Sequence, residues 1–223
     1  MTTDQFCNNT TPEGKQFIRD NYWPEVVGLV KGLVGAKEVI PWHFSVRKQT
    51  LGYHPDEIFF MKTGISQPAS TVHIDNSHET AIDHMTRELG EEKAQEFIKA
   101  HKRWAIINVW RPVEFPATRW PLLVVDHSQV DFQFDKNTGR VFRRNDGKYY
   151  KSHDNFIKED DGYIFRYAKN LSPSEVIVFK DYDSRHDKIR GTPHGGFQDD
   201  NTPEDAPARK SIEVRVFAFF DDE

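Results

Sequence analysis

From Trp104 onward the chain is a succession of short β-prone runs, and this pattern limits its fold more than any other feature. The runs Trp104–Trp110, Leu122–Val125, Val130–Phe134, Val141–Arg144, Tyr163–Ala168, Glu175–Phe179 and Ser211–Phe220 recur at fairly regular spacing. Turn signals such as Asn137-Thr138-Gly139 and Asn145-Asp146-Gly147 separate several of them. Strands this short bury a face only by pairing in series, so the pattern predicts a curled antiparallel sheet.

The N-terminal half reads differently. Apolar positions Phe17, Ile18, Tyr22, Val26, Val27, Val30 and Leu33 recur at helical spacing between Lys15 and Leu33, with Pro24 placed to divide the segment and Gly35 to end it. Glu38 to Arg47 is β-prone, and a turn at His54-Pro55-Asp56 leads to a second such run, Ile58 to Met61. Glu79 to Lys102 is helical in pattern, with Gly90 dividing it in two. Helices followed by many short strands give a mainly β fold with flanking helices, a jelly roll or barrel. The Gly-, Pro- and Asp-rich stretch Arg185 to Pro207 reads as a surface or mouth loop.

Length and composition exclude several classes. The 223 residues suit one domain, residues 1–223, with 1–14 as a flexible N-terminal segment. The net charge of −5 is spread in mixed-sign clusters, which argues against nucleic-acid and membrane surfaces. Cys7 is the only cysteine, so there is no disulfide framework and no thiolate metal cluster. No basic-then-apolar leader and no long apolar run is present, and the expected location is the cytoplasm.

The chemistry is carried by Thr71-Val72-His73-Ile74-Asp75. On an extended segment, residues two apart point to the same side, so one metal ion can receive both the His73 imidazole and the Asp75 carboxylate. A third imidazole from another strand completes a facial triad of two His and one carboxylate, which holds Fe(II) on one side and leaves the other open for a co-substrate and dioxygen. His194, in Thr192-Pro193-His194-Gly195-Gly196-Phe197, is the candidate.

The triplet alone is weak: composition predicts about one His-x-Asp by chance, and the chain has another at His54-Pro55-Asp56, where the central proline reads as a turn. A hydrogen-bonded His and a turn Asp satisfy the same spacing. The last strand adds weight. Arg209, Ser211, Glu213 and Arg215 share one strand face, and an arginine fork with a neighbouring hydroxyl suits the far carboxylate of a dicarboxylate. A solvated polar face is the competing explanation.

These residues resemble the AsaB/CmcJ/NvfI-like hydroxylase/desaturase family, which includes gibberellin desaturase-like proteins. The likeness runs in order through Tyr22-Trp23-Pro24-Glu25, Gly35-Ala36, Val72-His73-Ile74-Asp75, Asn108-Val109-Trp110-Arg111-Pro112, Pro121-Leu122, Phe179-Lys180-Asp181-Tyr182-Asp183-Ser184, Thr192-Pro193-His194 and Ser211-Ile212-Glu213-Val214-Arg215. The resemblance implies a double-stranded β-helix of the cupin-like jelly-roll type, Fe(II), 2-oxoglutarate as co-substrate, and oxidation of a small natural product by hydroxylation, desaturation, cyclisation or endoperoxidation. By position it assigns His73, Asp75 and His194 as metal ligands and Arg209 with Ser211 to the 2-oxoglutarate carboxylate, with Arg215 and Arg111 in reserve.

The chain departs from the family pattern at two places. Asp126-His127-Ser128-Gln129 puts a serine where a basic residue is common, and Gly195-Gly196 replaces a small polar residue and an alanine, leaving more room beside the metal. Trp110, Trp120 and Phe197 are candidates for an apolar substrate pocket or for plain core. Expected partners are a small, mostly apolar molecule and dioxygen, with neither nucleic acid nor membrane; a homodimer is compatible. The competing readings are a non-catalytic partner subunit, an iron oxidase independent of 2-oxoglutarate, and, with no Glu-containing base motif in its favour, a zinc hydrolase.

Overall fold

The computed structural model describes residues 6, 9–51, 66–126, 162–185 and 191–221, and the backbone alone of 138–143 and 149–156. Helix α1 (Pro12–Asn21) starts where the Thr11 side chain accepts from the Gly14 N–H and Pro12 needs no donor partner. Pro24 opens α2 (Trp23–Val34), which ends at Gly35 in the left-handed conformation, φ 68°. Proline and glycine thus divide and close the segment as their chemistry predicts. Within the segment 1–14 expected to be flexible, the described residues include the first turn of α1 from Pro12 and Phe6, which is buried in the core edge-on to Tyr22.

Helix α3 (His78–Leu89) begins with a capping box between Ser77 and Thr80, and Gly90 separates it from α4 (Glu91–Ala100). The strands form two antiparallel sheets. One has the order β1-β10-β3-β8, from β1 (Glu38–Lys48), β10 (Lys210–Phe220), β3 (Arg103–Pro112) and β8 (Ile177–Asp183). The other has the order β5-β6-β2-β9-β4-β7, from β5 (Thr138–Arg143), β6 (Tyr149–Phe156), β2 (His73–Ile74), β9 (His194–Gly196), β4 (Leu122–Val125) and β7 (Phe165–Tyr167). This is a jelly roll with helices packed outside it.

Strand β10 shows why the layers stack as they do. Its Ile212, Val214, Val216 and Ala218 share a face with Val109 and Ile107 of β3 and Val46 of β1, and pack against Ile18, Val26 and Val30 of α1 and α2. The opposite face changes character halfway. Phe217 and Phe219 sit with Ile106 and Trp104 against Ala81, Met85 and Ala94 of α3 and α4. Glu213 and Arg215, nearer the start of the strand, turn instead toward the second sheet and help to line the cavity between the sheets.

Several expected elements need correction. Arg185 to Pro207 is not wholly a surface loop, because His194–Gly196 pairs with both β2 and β4 and is buried. Three residues, two of them glycine, have no strand propensity of their own; pairing on both sides makes the strand. For the same reason β2, two residues long, and β6 gave no run to read. Thr138 and Gly139, expected in a turn, belong to β5, and β8 extends to Asp183 rather than ending at Phe179. The runs Ile58 to Met61 and Val130 to Phe134 and the turns at 54–56 and 145–147 lie outside the described residues.

Candidate metal centre and its relatives

The two-residue strand β2 and the three-residue strand β9 put His73 directly opposite His194 in the ladder, with ring centroids 4.7 Å apart. Both rings are oriented in the same way. His73 Nδ1 lies 2.7 Å from the Thr71 carbonyl and His194 Nδ1 lies 3.0 Å from the Thr192 carbonyl, so each donates there and keeps the Nε2 lone pair free. Those free nitrogens meet a carboxylate: His73 Nε2 is 3.4 Å from Asp75 Oδ1, and His194 Nε2 is 3.8 Å from Asp75 Oδ2. One ligand atom from each residue lies within 4.8 Å of the others.

Asp75 is held from several directions. Arg215 Nη2 donates to Oδ2 at 2.7 Å and also reaches Glu213 at 3.2 Å, while Asn108 donates to Oδ2 at 3.4 Å. Burial alone would raise the Asp75 pKa, but the Arg215 charge and the two imidazoles hold it well below the ordinary carboxylate range. His73 titrates above its ordinary value, since the Asp75 contact outweighs burial; burial and the neighbouring His73 push His194 down. The carboxylate is therefore charged and ready to bind a cation.

Strand β8 pins the two segments that carry His73, Asp75 and His194. Asp181, fully buried, accepts from the Asp75 backbone N–H at 3.2 Å and from the Asn76 side-chain amide. Its pKa is pushed up to about 8 by burial and by the Asp75 charge. On the other side, Lys180 O accepts from the Thr192 N–H at 2.7 Å. Gly191 passes so close to β8 that a Cβ there would stand 2.2 Å from the Asp181 carbonyl oxygen and 2.7 Å from Ile74 Cγ2. Asp181 falls at the register break of β8, between the paired Lys180 and Tyr182, and its motif gave it no role at this centre; its bonds to the Asp75 N–H and Asn76 do.

The cavity beside the triad is lined by His73 and His194, by Arg47, Glu213 and Arg215 of the first sheet with Arg209 just before β10, and by Trp110, Leu122, Ala69, Gly195 and Gly196. About 20 Å³ of it is free. Arg209 is buried, its Nη1 donates to the Trp120 carbonyl at 2.6 Å, and its Nε has no partner. Ser211, buried on the same face, also has an unpartnered hydroxyl. Burial and the Arg47 charge push Arg209 down to about 9. The polar face of β10 is thus interior, not solvated.

Other expected residues fall elsewhere. Arg111 points the opposite way, with its guanidinium over Phe6 and Tyr22 at 5.6 and 5.5 Å, and does not line the cavity. Arg215 faces the site but is engaged by Asp75 and Glu213. Of the three aromatic candidates, Trp110 lines the cavity, Trp120 lends it only a carbonyl, and Phe197 packs on Tyr167. Gly195 and Gly196 do line it, but the space they leave is taken: a Cβ on Gly196 would come within 3.2 Å of the Ala69 carbonyl and 3.3 Å of Arg209 Nη1. His127, His186 and the side chain of His153 lie outside the described residues.

Two imidazole nitrogens and a carboxylate on one side of an open position are the donor set of a non-haem Fe(II) site, and two orphaned buried donors beside it suit a dicarboxylate. Known proteins agree. A family model described as an oxidoreductase/YMDC permease-like domain matches residues 3–219. Oxidoreductase R1 of Phoma sp. is 36% identical over 231 residues, covering 99% of this chain and 76% of its own length. The Fe(II)/2-oxoglutarate-dependent dioxygenase nvfI of Aspergillus novofumigatus is 29% identical over 205 residues, covering 91% of this chain and 67% of that protein. The solved structure of the iron and alpha-ketoglutarate-dependent endoperoxidase NvfI superposes with a TM-score of 0.79 at 26% identity, covering 100% of this chain and 76% of that one.

The chain belongs to the Fe(II)/2-oxoglutarate-dependent dioxygenases. Within that family its relatives carry the names hydroxylase/desaturase and endoperoxidase. Despite the permease wording of the family description, no helix among the described residues of this dioxygenase is long and apolar enough to cross a membrane. The dioxygenase uses a small-molecule substrate and dioxygen, with Fe(II) and 2-oxoglutarate as cofactor and co-substrate.

Proposed function

We propose that this dioxygenase oxidises a small, mostly apolar natural product of specialised metabolism, with His73, Asp75 and His194 holding the iron and Arg209 with Ser211 receiving the distal carboxylate of 2-oxoglutarate. The observation that carries the residue assignment is the convergence of the two free Nε2 atoms and the Asp75 carboxylate. The reaction class is the one named for relatives such as a hydroxylase/desaturase from Hormonema carpetanum and the endoperoxidase NvfI, and the apolar Trp110 and Leu122 beside the triad support a mostly apolar substrate. Reaction in the cytoplasm without nucleic-acid or membrane partners fits the charge distribution.

Bound Fe(II) with 2-oxoglutarate and dioxygen supplies the oxidising power needed to break an unactivated C–H bond. The chain supplies the rest. The Thr71 and Thr192 carbonyls fix the two imidazole planes, and Arg215 with Asn108 fixes the carboxylate, so the donor set is organised before binding. Phe179, 4.5 Å from the His194 ring, and Trp110 supply apolar wall that keeps water from the reacting centre. Substrate placement then determines which oxidative outcome follows.

The test is spectroscopic. Anaerobic protein given Fe(II) and 2-oxoglutarate should develop the weak visible charge-transfer band of a chelated keto acid, and His194→Ala should not. No band in either protein, with iron shown not to bind, supports a non-catalytic partner subunit instead.

A further inference from the structure

The cavity wall contributed by the first sheet carries more positive charge than its carboxylates neutralise. Arg47, Arg209 and Arg215 line it, against Glu213 on the same wall and Asp75 in the triad. Arg215 is committed to both carboxylates, at 2.7 Å to Asp75 and 3.2 Å to Glu213. Two guanidinium groups remain. Arg209 gives one N–H to the Trp120 carbonyl and lies 5.5 Å over the Trp110 ring, and Arg47 gives one N–H to the Gln67 carbonyl at 2.8 Å.

Neither Arg47 nor Arg209 makes an ion pair with a carboxylate among the described residues. Both titrate below the ordinary arginine range, burial being the main cause in each. Two cations facing one cavity, Arg209 buried and Arg47 half-buried, each held among the described residues by one neutral carbonyl, are costly until an anion joins them.

The backbone fixes them side by side. Arg47 of β1 stands opposite Ser211 of β10, and Arg209 precedes Ser211 by two residues on the same face. Gln49 N–H donates to the Arg209 carbonyl at 2.8 Å, and Gln49 Oε1 accepts from the Arg209 N–H at 3.2 Å, locking the ends of the two strands together. Arg47, Arg209 and Ser211 thus converge beside the open side of the triad, where the far end of a chelated keto acid would lie.

We propose that Arg47 is a second clamp on the distal carboxylate of 2-oxoglutarate, acting with Arg209 to select a dianionic keto acid over one with an uncharged tail. The inference rests on the assignment of Arg209 to the co-substrate made above. A carboxylate has two oxygens and about four acceptor positions, enough for two guanidinium groups and the Ser211 hydroxyl.

The experiment titrates 2-oxoglutarate and 2-oxopentanoate, which has the same chain length without the distal carboxylate, into anaerobic Fe(II)-loaded protein while following the visible band. Arg47→Met should weaken 2-oxoglutarate at least ~30-fold and leave 2-oxopentanoate within about twofold, with Arg47→Lys between. The ratio of the two affinities is the readout, since a merely structural defect lowers both. Arg47→Met that leaves the ratio at the wild-type value overturns the proposal. If it does so while Arg209→Met collapses the ratio, the Arg209 assignment stands without Arg47. If Arg47→Met collapses the ratio and Arg209→Met does not, the proposal for Arg47 stands and the Arg209 assignment falls.

Discussion

Arg215 and Asp75 form a largely desolvated ion pair at 2.7 Å, and the same guanidinium reaches Glu213. Removing it leaves the half-buried Asp75 and the buried Glu213 without their cation. Arg215→Met should therefore destabilise the metal-free protein by about 3 kcal/mol. Fe(II) returns a positive charge to Asp75, so the rise in Tm on adding Fe(II) should be larger in the variant than in the wild type. Thermal denaturation with and without Fe(II) measures this; equal rises would show that Arg215 does not compensate the carboxylate.

Asp181 joins the Asp75–Asn76 turn to β8 through the Asp75 N–H and the Asn76 amide. Asn76 Oδ1 has no partner, so its amide can turn over and accept from an asparagine placed at 181. Asp181→Asn should accordingly fold with a stability loss of about 1 kcal/mol or less and bind Fe(II) normally, whereas Asp181→Ala, which strands two buried donors, should lose roughly 2 kcal/mol or more and bind Fe(II) more weakly. Equal Fe(II) affinities in the two variants would remove Asp181 from a positioning role.

Gly191 tests the other side of the same anchor. An added methyl group there meets a backbone carbonyl and the Ile74 side chain at distances that neither can relieve without moving. Ile74 lies between the proposed ligands His73 and Asp75, so the shift reaches the triad. Gly191→Ala should cost about 1–3 kcal/mol and weaken Fe(II) binding, read by chemical denaturation and metal titration. Unchanged stability would mean that the segment 191–193 is free to step away from β8.

His84 should make the fold sensitive to mild acid. Its Nδ1 accepts from Arg87, its ring lies 4.8 Å from Trp42, and burial with the Arg87 and Arg215 charges lowers its pKa to about 3, opposed by Asp75. In the unfolded chain it takes up a proton near its ordinary value of 6.5. The folded state binds that proton less readily, so the contribution is intact above pH 6.5 and is lost as the pH falls toward 3, by at most about 1.4 kcal/mol per pH unit. His84→Phe should lose less stability than the wild type between pH 7 and pH 5 in urea titrations. Parallel losses would rule out His84 as the source.

How far the sequence could be read depended on segment length. The helices declared themselves through Pro24, Gly35 and Gly90, residues whose backbone chemistry acts locally, and β3, β4 and β10 were long or apolar enough to show. Strands β2 and β9 were not legible as strands, because their pairing is set by residues far away in the chain. The triad could still be proposed from residue types and family order. Asp181, part of a family motif but without a role in it, and Arg47 could not, since one looks like any strand carboxylate and the other like any surface arginine until β8 sets Asp181 against the Asp75 N–H and β1 carries Arg47 to the cavity. Arg111 shows the converse: it lies in a family motif, but its register opposite Ile212 sends it to the helix side.

The pairing of His73 with His194 has a consequence for how the molecule assembles. The strands β1, β10 and β3 have ten or eleven residues each and cohere by their own ladders, whereas β2 and β9 share a single partnered pair, His73 with His194. An ion bound by both imidazoles is a cross-link between points ~120 residues apart, and it removes the loop entropy that so short a ladder cannot offset. The metal is then a fastener as well as a reagent, and chelation should loosen the middle of the second sheet while the first stays folded. Amide exchange at residues 72–75 and 193–196 would quicken on removal of iron, while exchange in β3 and β10 would not.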